Sequence, residues 1–404
     1  MIKEKIKKTE IPDEILSLKN GHQLAYGENR CQSPATIFYG GNSNQLAISK
    51  FDEVSGQASF IALADLSQLV SILCLMSEAF RRSFGKVPFI ALAGKHGNLC
   101  GAGISWNQPI EALLYALYGD SVAVMGGEFT ANFEINDFLA ASLLNSKIDS
   151  IGRDKWGLDV IAAPDFSNFA ITLLGKREKR RLLANPALAE APFPQEEWTY
   201  RELHGGDWLK QRLPHFVLSP GEVIGWTREQ MDLHRIFESL IIAFACAWRA
   251  SSNTVALAKD NMLIGLGCGQ QDRIACVRLC LDRASRAGHD PRNSVFASDG
   301  FFPFACSTDY NADRIDQLMT AVRLLDANLA GKTESEKIIT LNNFANLVSR
   351  LDRREGPELL ADAGCIGGVV PADGIRLEEV KEFFQQKKMS VAFVAAENRG
   401  FSKH

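Results

Sequence analysis

The sequence predicts an α/β protein. Segments with apolar residues at helical spacing alternate with short apolar runs typical of buried strands. The chain has 404 residues, 46% of them apolar, which is enough to bury the core of two or three lobes. A stretch rich in charge, Pro and Trp separates two series of this alternation. We therefore divide the chain into an N-terminal extension (1–19), a first lobe (20–175), a connecting segment (176–220) and a second lobe (221–404), whose residues 305–355 form a helix-rich insertion.

Three helix–strand pairs are predicted in the first lobe. A helix from Phe60 to Phe84 is followed by a strand at PFIALA, residues 88–93. A second helix, 107–118, is opened by Asn107 and Pro109 and leads to a strand at SVAVM, residues 121–125. A third helix, 136–147, precedes a strand at LDVIAA, residues 158–163.

Lys95 and His96 directly follow the first of these strands. We expect this buried strand to hold their side chains rigidly at its C-terminal end. They enter a segment containing Gly97, Gly101 and Gly103, which we expect to be a turn whose backbone can approach a ligand closely. Taken alone, such a Lys-His pair is most often a solvated surface pair.

The second lobe begins with a strongly apolar helix over 228–249. TVALA and MLIGLG flank the turn KDN and predict a β-hairpin. Gly267, Cys268 and Gly269 then lead to a helix with Asp272 as its N-cap. Backbone N–H groups at that helix start, with Arg273 beside them, form a corner suited to an anion.

Composition excludes several classes of protein. A formal charge of -4 provides no basic surface for nucleic acid. The basic N-terminus is followed by polar residues, and the apolar run 240–248 is too short for a bilayer, so we expect no signal, no membrane anchor and a cytoplasmic location. Nine cysteines without a CxxC pair indicate reduced thiols and no zinc.

Four motifs carry the functional prediction: LAYGENRCQSPA (24–35), GKHGNLCGAG (94–103), NTVALAKDNMLIGLGCGQQDR (253–273) and ASDGFFPF (297–304). Together and in this order they resemble the formyltransferase domain that adds the last one-carbon unit to the purine precursor AICAR from 10-formyltetrahydrofolate. The resemblance extends from about residue 20 to 404. It implies two tandem cytidine-deaminase-like α/β lobes, with mixed sheets covered by helices, in a homodimer whose two active sites are each built from both chains.

The resemblance also implies roles for individual residues. His96 is the general base, Lys95 stabilises the oxyanion, and Asn253 holds the reacting region of the substrate, although Asn253 could instead be a simple turn residue. Substrate contacts are implied for Tyr26, Gly126, Asp159, Arg273, Phe301 and Arg399, with Phe401 as a further match. Contacts with the folate co-substrate are implied for Asp272, Ile274, Pro303, Phe304 and Gly374; three phenylalanines around a proline are otherwise usually core packing.

Departures from the family pattern suggest an altered substrate preference. Ala25 stands where the family has an arginine that binds the nucleotide phosphate, and Cys31 replaces a histidine. Two interpretations stay open: Arg30 reaches the same phosphate, or the true substrate carries no phosphate there. Asp272 replaces a serine, and the sequence after Phe304 and around Gly374 also differs.

Three functions stay open from the sequence. The first is formyl transfer to the 5-amino group of AICAR, using folate and no metal; the HxE and PCxxC zinc patterns of true deaminases are not found. The second is formylation of a different amine in specialised metabolism, and the third is a nucleotide-binding pseudoenzyme. Only about 20 residues precede the first motif, so ring closure to IMP is not expected.

Overall fold

The structure is a computed structural model. It describes residues 19–29, 31–40, 43–147, 156–195, 198–213, 215–228, 233–306, 332–341 and 354–400, with isolated positions between 320 and 329. Arg30, Phe401, nearly all of the N-terminal extension and most of the insertion 305–355 lie outside the described residues.

The first half of the chain starts with a hairpin and continues as alternating strands and helices. Its elements are β1 (Lys19–Leu24), β2 (Ala35–Tyr39), β3 (Asp52–Ser55), α1 (Phe60–Phe84), β4 (Phe89–Lys95), β5 (Asn98–Ser105), α2 (Pro109–Tyr118), β6 (Glu128–Ala131), α3 (Asp137–Asn145), β7 (Val160–Ala163), α4 (Asn168–Gly175) and β8 (Arg181–Ala184). A separate exposed hairpin follows, formed by β9 (Trp198–Glu202) and β10 (Trp208–Arg212).

The second half repeats the alternation. Its elements are β11 (Val223–Trp226), α5 (Leu233–Arg249), β12 (Val255–Lys259), β13 (Met262–Gly267), α6 (Arg273–Arg286), β14 (Val295–Ser298), α7 (Gly356–Asp362), β15 (Gly367–Pro371), α8 (Leu377–Gln386) and β16 (Ser390–Val394).

Twelve of the described strands form one mixed sheet, in the order β11-β16-β15-β14-β12-β13-β5-β4-β6-β7-β8-β3. Outward from the centre, β5-β4-β6-β7-β8-β3 pair antiparallel, antiparallel, parallel, parallel and antiparallel. The series β13-β12-β14-β15-β16-β11 repeats these directions. The two series meet where β5 and β13 pair antiparallel at Gly103 and Met262. The described chain therefore contains an internal structural repeat within one continuous sheet.

Helices cover both faces of the sheet. On one face α1 and α5 pack against each other and share a core with Leu92 and Ala256 from the two halves. On the other face, α2 to α4 cover the first half and α6 to α8 the second, each over its own core. Strand residues on the two faces alternate, as the two-residue period of a strand requires.

Most predicted elements are confirmed. α1 has the predicted bounds, with Ser59 as N-cap and Gly85 at its end, and α3 starts after Asn136, whose side chain accepts from Leu139 N. α2 begins at Pro109. The β12–β13 hairpin turns at Asp260 and Asn261, both with positive φ, and Asp272 caps α6 through Ala275 N.

Two predictions in the first half are wrong. SVAVM is not a strand, because Asp120 starts a turn there by accepting from Ala123 N through its side chain and from Val124 N through its carbonyl. The strand begins later, at Glu128. Val124 is buried within the turn, so the apolar run marks core contact without strand pairing.

The glycine-rich segment after His96 is also not a single turn. Only Gly97 lies in the turn, whereas Gly101 and Gly103 lie in β5 under α2. A Cβ at Gly101 would lie 2.0 Å from the carbonyl oxygen of Ala116. These glycines allow a helix to approach a strand and do not form part of a ligand loop.

One helix of the described residues, Phe60–Phe84, is long and apolar enough to cross a membrane by length and composition. It packs on β4 and β6 and against α5. Leu66, Leu69, Leu73 and Phe80 are fully buried there. Core packing therefore accounts for its composition.

Candidate active site

A cavity of about 250 Å³ opens where the β4–β5 turn meets the first residues of β6 and β7. All five residues predicted from the first half for catalysis or substrate binding line it: Tyr26, Lys95, His96, Gly126 and Asp159. They come from four separate segments of the chain. The fold thus assembles one site from residues up to 133 positions apart in the sequence.

Lys95 and His96 are held by backbone groups. The Lys95 ammonium donates to Met125 O at 2.8 Å, which places the cation beside the β6 entry. His96 has a φ of 54° in the tight turn, and its backbone N donates to Asp65 Oδ2 at 3.0 Å. Its side chain is exposed at the cavity, where it can meet a ligand.

Gly126 shapes the wall between Lys95 and Asp159. Its φ of 77° suits a residue without a side chain. A Cβ at this position would lie 3.9 Å from both Lys95 Nζ and Asp159 Oδ2. Asp159 itself accepts from Arg177 Nη2 at 2.7 Å.

Two further carboxyl groups line the cavity, Asp65 from α1 and Glu128 from β6. Both are buried, at 7% and 5% exposure. Burial, and then the charges of Asp65 and Asp159, raise the pKa of Glu128 to about 9. Glu128 therefore carries a proton at neutral pH, because burial and neighbouring carboxylates both disfavour its charged form.

A second group of predicted residues surrounds the start of α6. Arg273 is buried and forms an ion pair with Asp299. It also donates to Thr254 O at 3.2 Å, while Asp299 accepts from Thr254 N at 2.9 Å. The guanidinium ties the entry of β12 to the end of β14, so its contact with a substrate stays a prediction.

Asn253 lies just before β12 and contacts Gln270. Its side-chain amide donates to Gln270 O at 2.8 Å, and the Ser252–Asn253 peptide bond is cis. Because β5 and β13 run antiparallel, the start of β5 and the end of β13 lie at the same end of the two strands. At this end of the strands, Ser251 N donates to the side chain of Asn98 at 3.4 Å. Both groups of predicted residues therefore lie at the same end of the strands, although Asn253 and Arg273 do not line the cavity itself.

The remaining predicted residues cluster near the end of the second half. A Cβ at Gly374 would lie 3.2 Å from Phe301 Cδ2. Arg399 pairs with Asp373 at 2.8 Å. The Phe304 ring is 41% exposed, and the Arg376 guanidinium lies 5.0 Å from its centroid.

The other residues predicted to contact folate are Asp272, Ile274 and Pro303. Pro303 is exposed, Asp272 is exposed as the N-cap of α6, and Ile274 packs partly buried against the core of the second half. Their contact with folate stays a prediction.

All nine cysteines are free thiols, and the described residues hold no cluster of three His, Cys, Asp or Glu side chains placed for a metal ion.

Sequence reasoning missed Asp65, Glu128 and Asp299. Each is an isolated acid within an apolar segment, in FIALADLSQL, GGEFTANF and VFASDGFF. An ionisable residue in a run that must be buried is a signal for a partner or a site. That signal was present in the sequence.

The sequence matches the family described as AICARFT/IMPCHase bienzyme over residues 1–283. The chain belongs to the AICARFT/IMPCHase bienzyme family. The matched range includes Lys95, His96, Asn253 and Arg273, and it ends before Phe301, Gly374 and Arg399. The predicted roles of these last residues therefore depend on the motif resemblance alone.

Curated relatives in the family are bifunctional purine biosynthesis proteins PurH. The chain is 30% identical over 285 residues to that of Microcystis aeruginosa, covering 70% of this chain and 49% of the relative. It is 29% identical over 289 residues to that of Bacteroides thetaiotaomicron, covering 71% and 50%. For Bacillus subtilis the values are 27% over 289 residues, 71% and 51%. The chain spans about half the length of the curated relatives it matches.

Proposed function

We propose that this chain transfers a formyl group from 10-formyltetrahydrofolate to the 5-amino group of AICAR. The supporting observation is the cavity that brings Lys95 and His96 together with Tyr26, Gly126 and Asp159. Membership of the AICARFT/IMPCHase bienzyme family supports the same reaction. We further propose that the enzyme works in the cytoplasm as a homodimer with shared sites.

The reaction needs a group that accepts a proton from the attacking amine and a cation that stabilises the oxyanion. In our proposal the exposed His96 imidazole accepts the proton, because a neutral imidazole has a ring nitrogen that can act as a general base. The Lys95 ammonium, held beside Met125 O, stabilises the negative charge of the tetrahedral intermediate.

An amine other than AICAR is favoured by one feature of this chain. Ala25 stands where the family has its phosphate-binding arginine, so this position offers no cation to a 5′-phosphate. A related amine without a 5′-phosphate is therefore the second candidate substrate.

The test is a formyl-transfer assay with 10-formyltetrahydrofolate and AICAR, followed by amines with and without a 5′-phosphate. Turnover of AICAR supports the first proposal, and turnover of another amine alone supports the second. Nucleotide binding without any transfer would instead indicate a pseudoenzyme.

The matched variants are His96→Ala and His204→Ala. Loss of the base should lower kcat by about 10²- to 10⁴-fold. His204 is exposed in the β9–β10 hairpin and does not line the cavity, so its removal should leave turnover unchanged. Full activity of His96→Ala would contradict its role as the base.

A further inference from the structure

Glu128 is a buried polar side chain whose second oxygen is unsatisfied. It sits at the first position of β6, between Gly94 of β4 and Val160 of β7. Its Oε2 is buried and has no hydrogen-bond partner among the described residues. Burial of such a group without a partner costs stability. A residue that costs stability and faces a cavity is a candidate for a role in binding.

The charged and titratable groups around Glu128 come from every neighbouring element. They are Tyr26 before β2, Asp65 on α1, Lys95 and His96 at the β4–β5 turn, Cys100 on β5, Asp159 beside β7, Lys179 before β8 and Arg181 at the start of β8. Of these, Asp65 and Asp159 raise the pKa of Glu128, and Lys95 lowers it by a smaller amount than burial raises it. The carboxyl group is neutral at pH 7 and therefore carries an O–H donor.

We propose that Glu128 is a specificity-determining residue that donates a hydrogen bond from the wall of the cavity to an acceptor atom of the substrate. The carboxamide oxygen of AICAR is an acceptor of this kind. The inference rests on the proposed function, because it assigns Glu128 to the substrate of that same site. A buried donor discriminates strongly, since a substrate without the acceptor leaves the donor unpaired.

Two substitutions distinguish a role of Glu128 as a hydrogen-bond donor from a role in packing alone. Glu128→Gln keeps an N–H donor that cannot ionise, and Glu128→Val removes the donor. Glu134→Gln is the matched control, because Glu134 is exposed in the loop after β6 and does not line the cavity. The readouts are KM for AICAR and kcat between pH 6.5 and 10, with the melting temperature of each variant.

We expect Glu128→Val to raise KM for AICAR by about tenfold while its melting temperature equals or exceeds that of the wild type. Glu128→Gln should keep KM within about threefold of the wild type. The wild type should lose affinity as the pH rises through about 9, and Glu128→Gln should not show that loss. An unchanged KM in Glu128→Val would overturn the inference, as would a pH profile shared by the wild type and Glu128→Gln.

Calorimetric binding of AICAR without folate distinguishes failure of the inference from failure of the proposed function. If the wild type binds AICAR and transfers nothing, formyl transfer is wrong, and the affinities of the Val and Gln variants still decide the role of Glu128. If the wild type binds no AICAR, formyl transfer to AICAR and the inference that rests on it are both overturned. If it binds and transfers while Glu128→Val matches it, only the inference fails.

Discussion

Glu128 and Asp299 are buried carboxyl groups with opposite surroundings. Asp299 is paired with Arg273 and accepts from Thr254 N. Glu128 has neighbouring carboxylates, and its pKa is raised to about 9. One carboxyl group therefore contributes by its charge, whereas the other retains its proton.

The ion pair of Arg273 and Asp299 predicts a large cost for removing one partner. Asp299→Ala should lower the free energy of unfolding by about 3–5 kcal/mol, because it leaves a buried guanidinium without its counter-charge. Asp282→Ala is the control, since its pair with Arg286 spans 3.6 Å between exposed side chains and should contribute less than about 1 kcal/mol. Denaturant unfolding measures both. Equal costs would show that Arg273 is satisfied without Asp299.

Glu128 predicts a pH dependence of stability. Its ordinary pKa is 4.5, and its pKa in the folded protein is about 9. Between these values the folded protein holds a proton that the unfolded chain has lost, so this contribution to stability is complete below pH 4.5 and is lost as the pH rises towards 9. Unfolding free energies at several pH values should fall less steeply for Glu128→Gln than for the wild type. Identical slopes would refute the raised pKa.

At the scale of elements, the two halves use glycine in the same way. Gly103 in β5 lies under α2, and Gly267 in β13 lies under α6. A Cβ at Gly267 would lie 2.1 Å from the carbonyl oxygen of Cys276. These two glycines, each within a functional motif, thus set the distance between helix and sheet, and this distance fixes where the adjoining turns lie.

Gly103→Ala tests this packing. Its Cβ would lie 2.4 Å from Tyr115 Cβ and 2.6 Å from Ala112 O, so we expect a loss of about 1–3 kcal/mol from overpacking. Gly225→Ala in β11 is the control, because a Cβ there meets no atom within 4 Å. Thermal or denaturant unfolding compares the two. A neutral Gly103→Ala would mean that α2 shifts without cost.

The elements also show where sequence patterns have limits. The N-caps Asn136 and Asp272 act locally, so their side chains predict the starts of α3 and α6. The prediction of a strand at SVAVM is wrong because apolar residues indicate burial, whereas strand pairing depends on neighbours distant in sequence. Similarly, glycine spacing alone does not distinguish a ligand loop from a strand beneath a helix.

At the scale of the whole molecule, the two groups of predicted site residues lie at the same end of the strands in one continuous sheet. The cavity holds the group from the first half, and Asn253 and Arg273 belong to the second. The proposed homodimer would combine the first group of one chain with the second group of its partner. Sedimentation should then show a dimer, and an active monomer would contradict the shared site.

Mixing two inactive variants tests the shared site directly. Dimers formed from refolded or co-expressed His96→Ala and Asn253→Ala chains should regain about a quarter of the wild-type activity, because half of the dimers are mixed and each has one intact site. A mixture of His96→Ala with Lys95→Ala is the control and should regain none. Recovery in neither mixture would place each site within a single chain.

The sequence by itself determined the α/β class, the bounds of α1, the β12–β13 hairpin and the motifs that indicate a formyltransferase, because these depend on local spacing and capping. Only the tertiary structure decided that the five residues from Tyr26 to Asp159 share one cavity, that Arg273 is paired with Asp299, and that Glu128 lines that cavity with a raised pKa. The physical reason is that burial, pairing and pKa depend on which distant segments the sheet brings together.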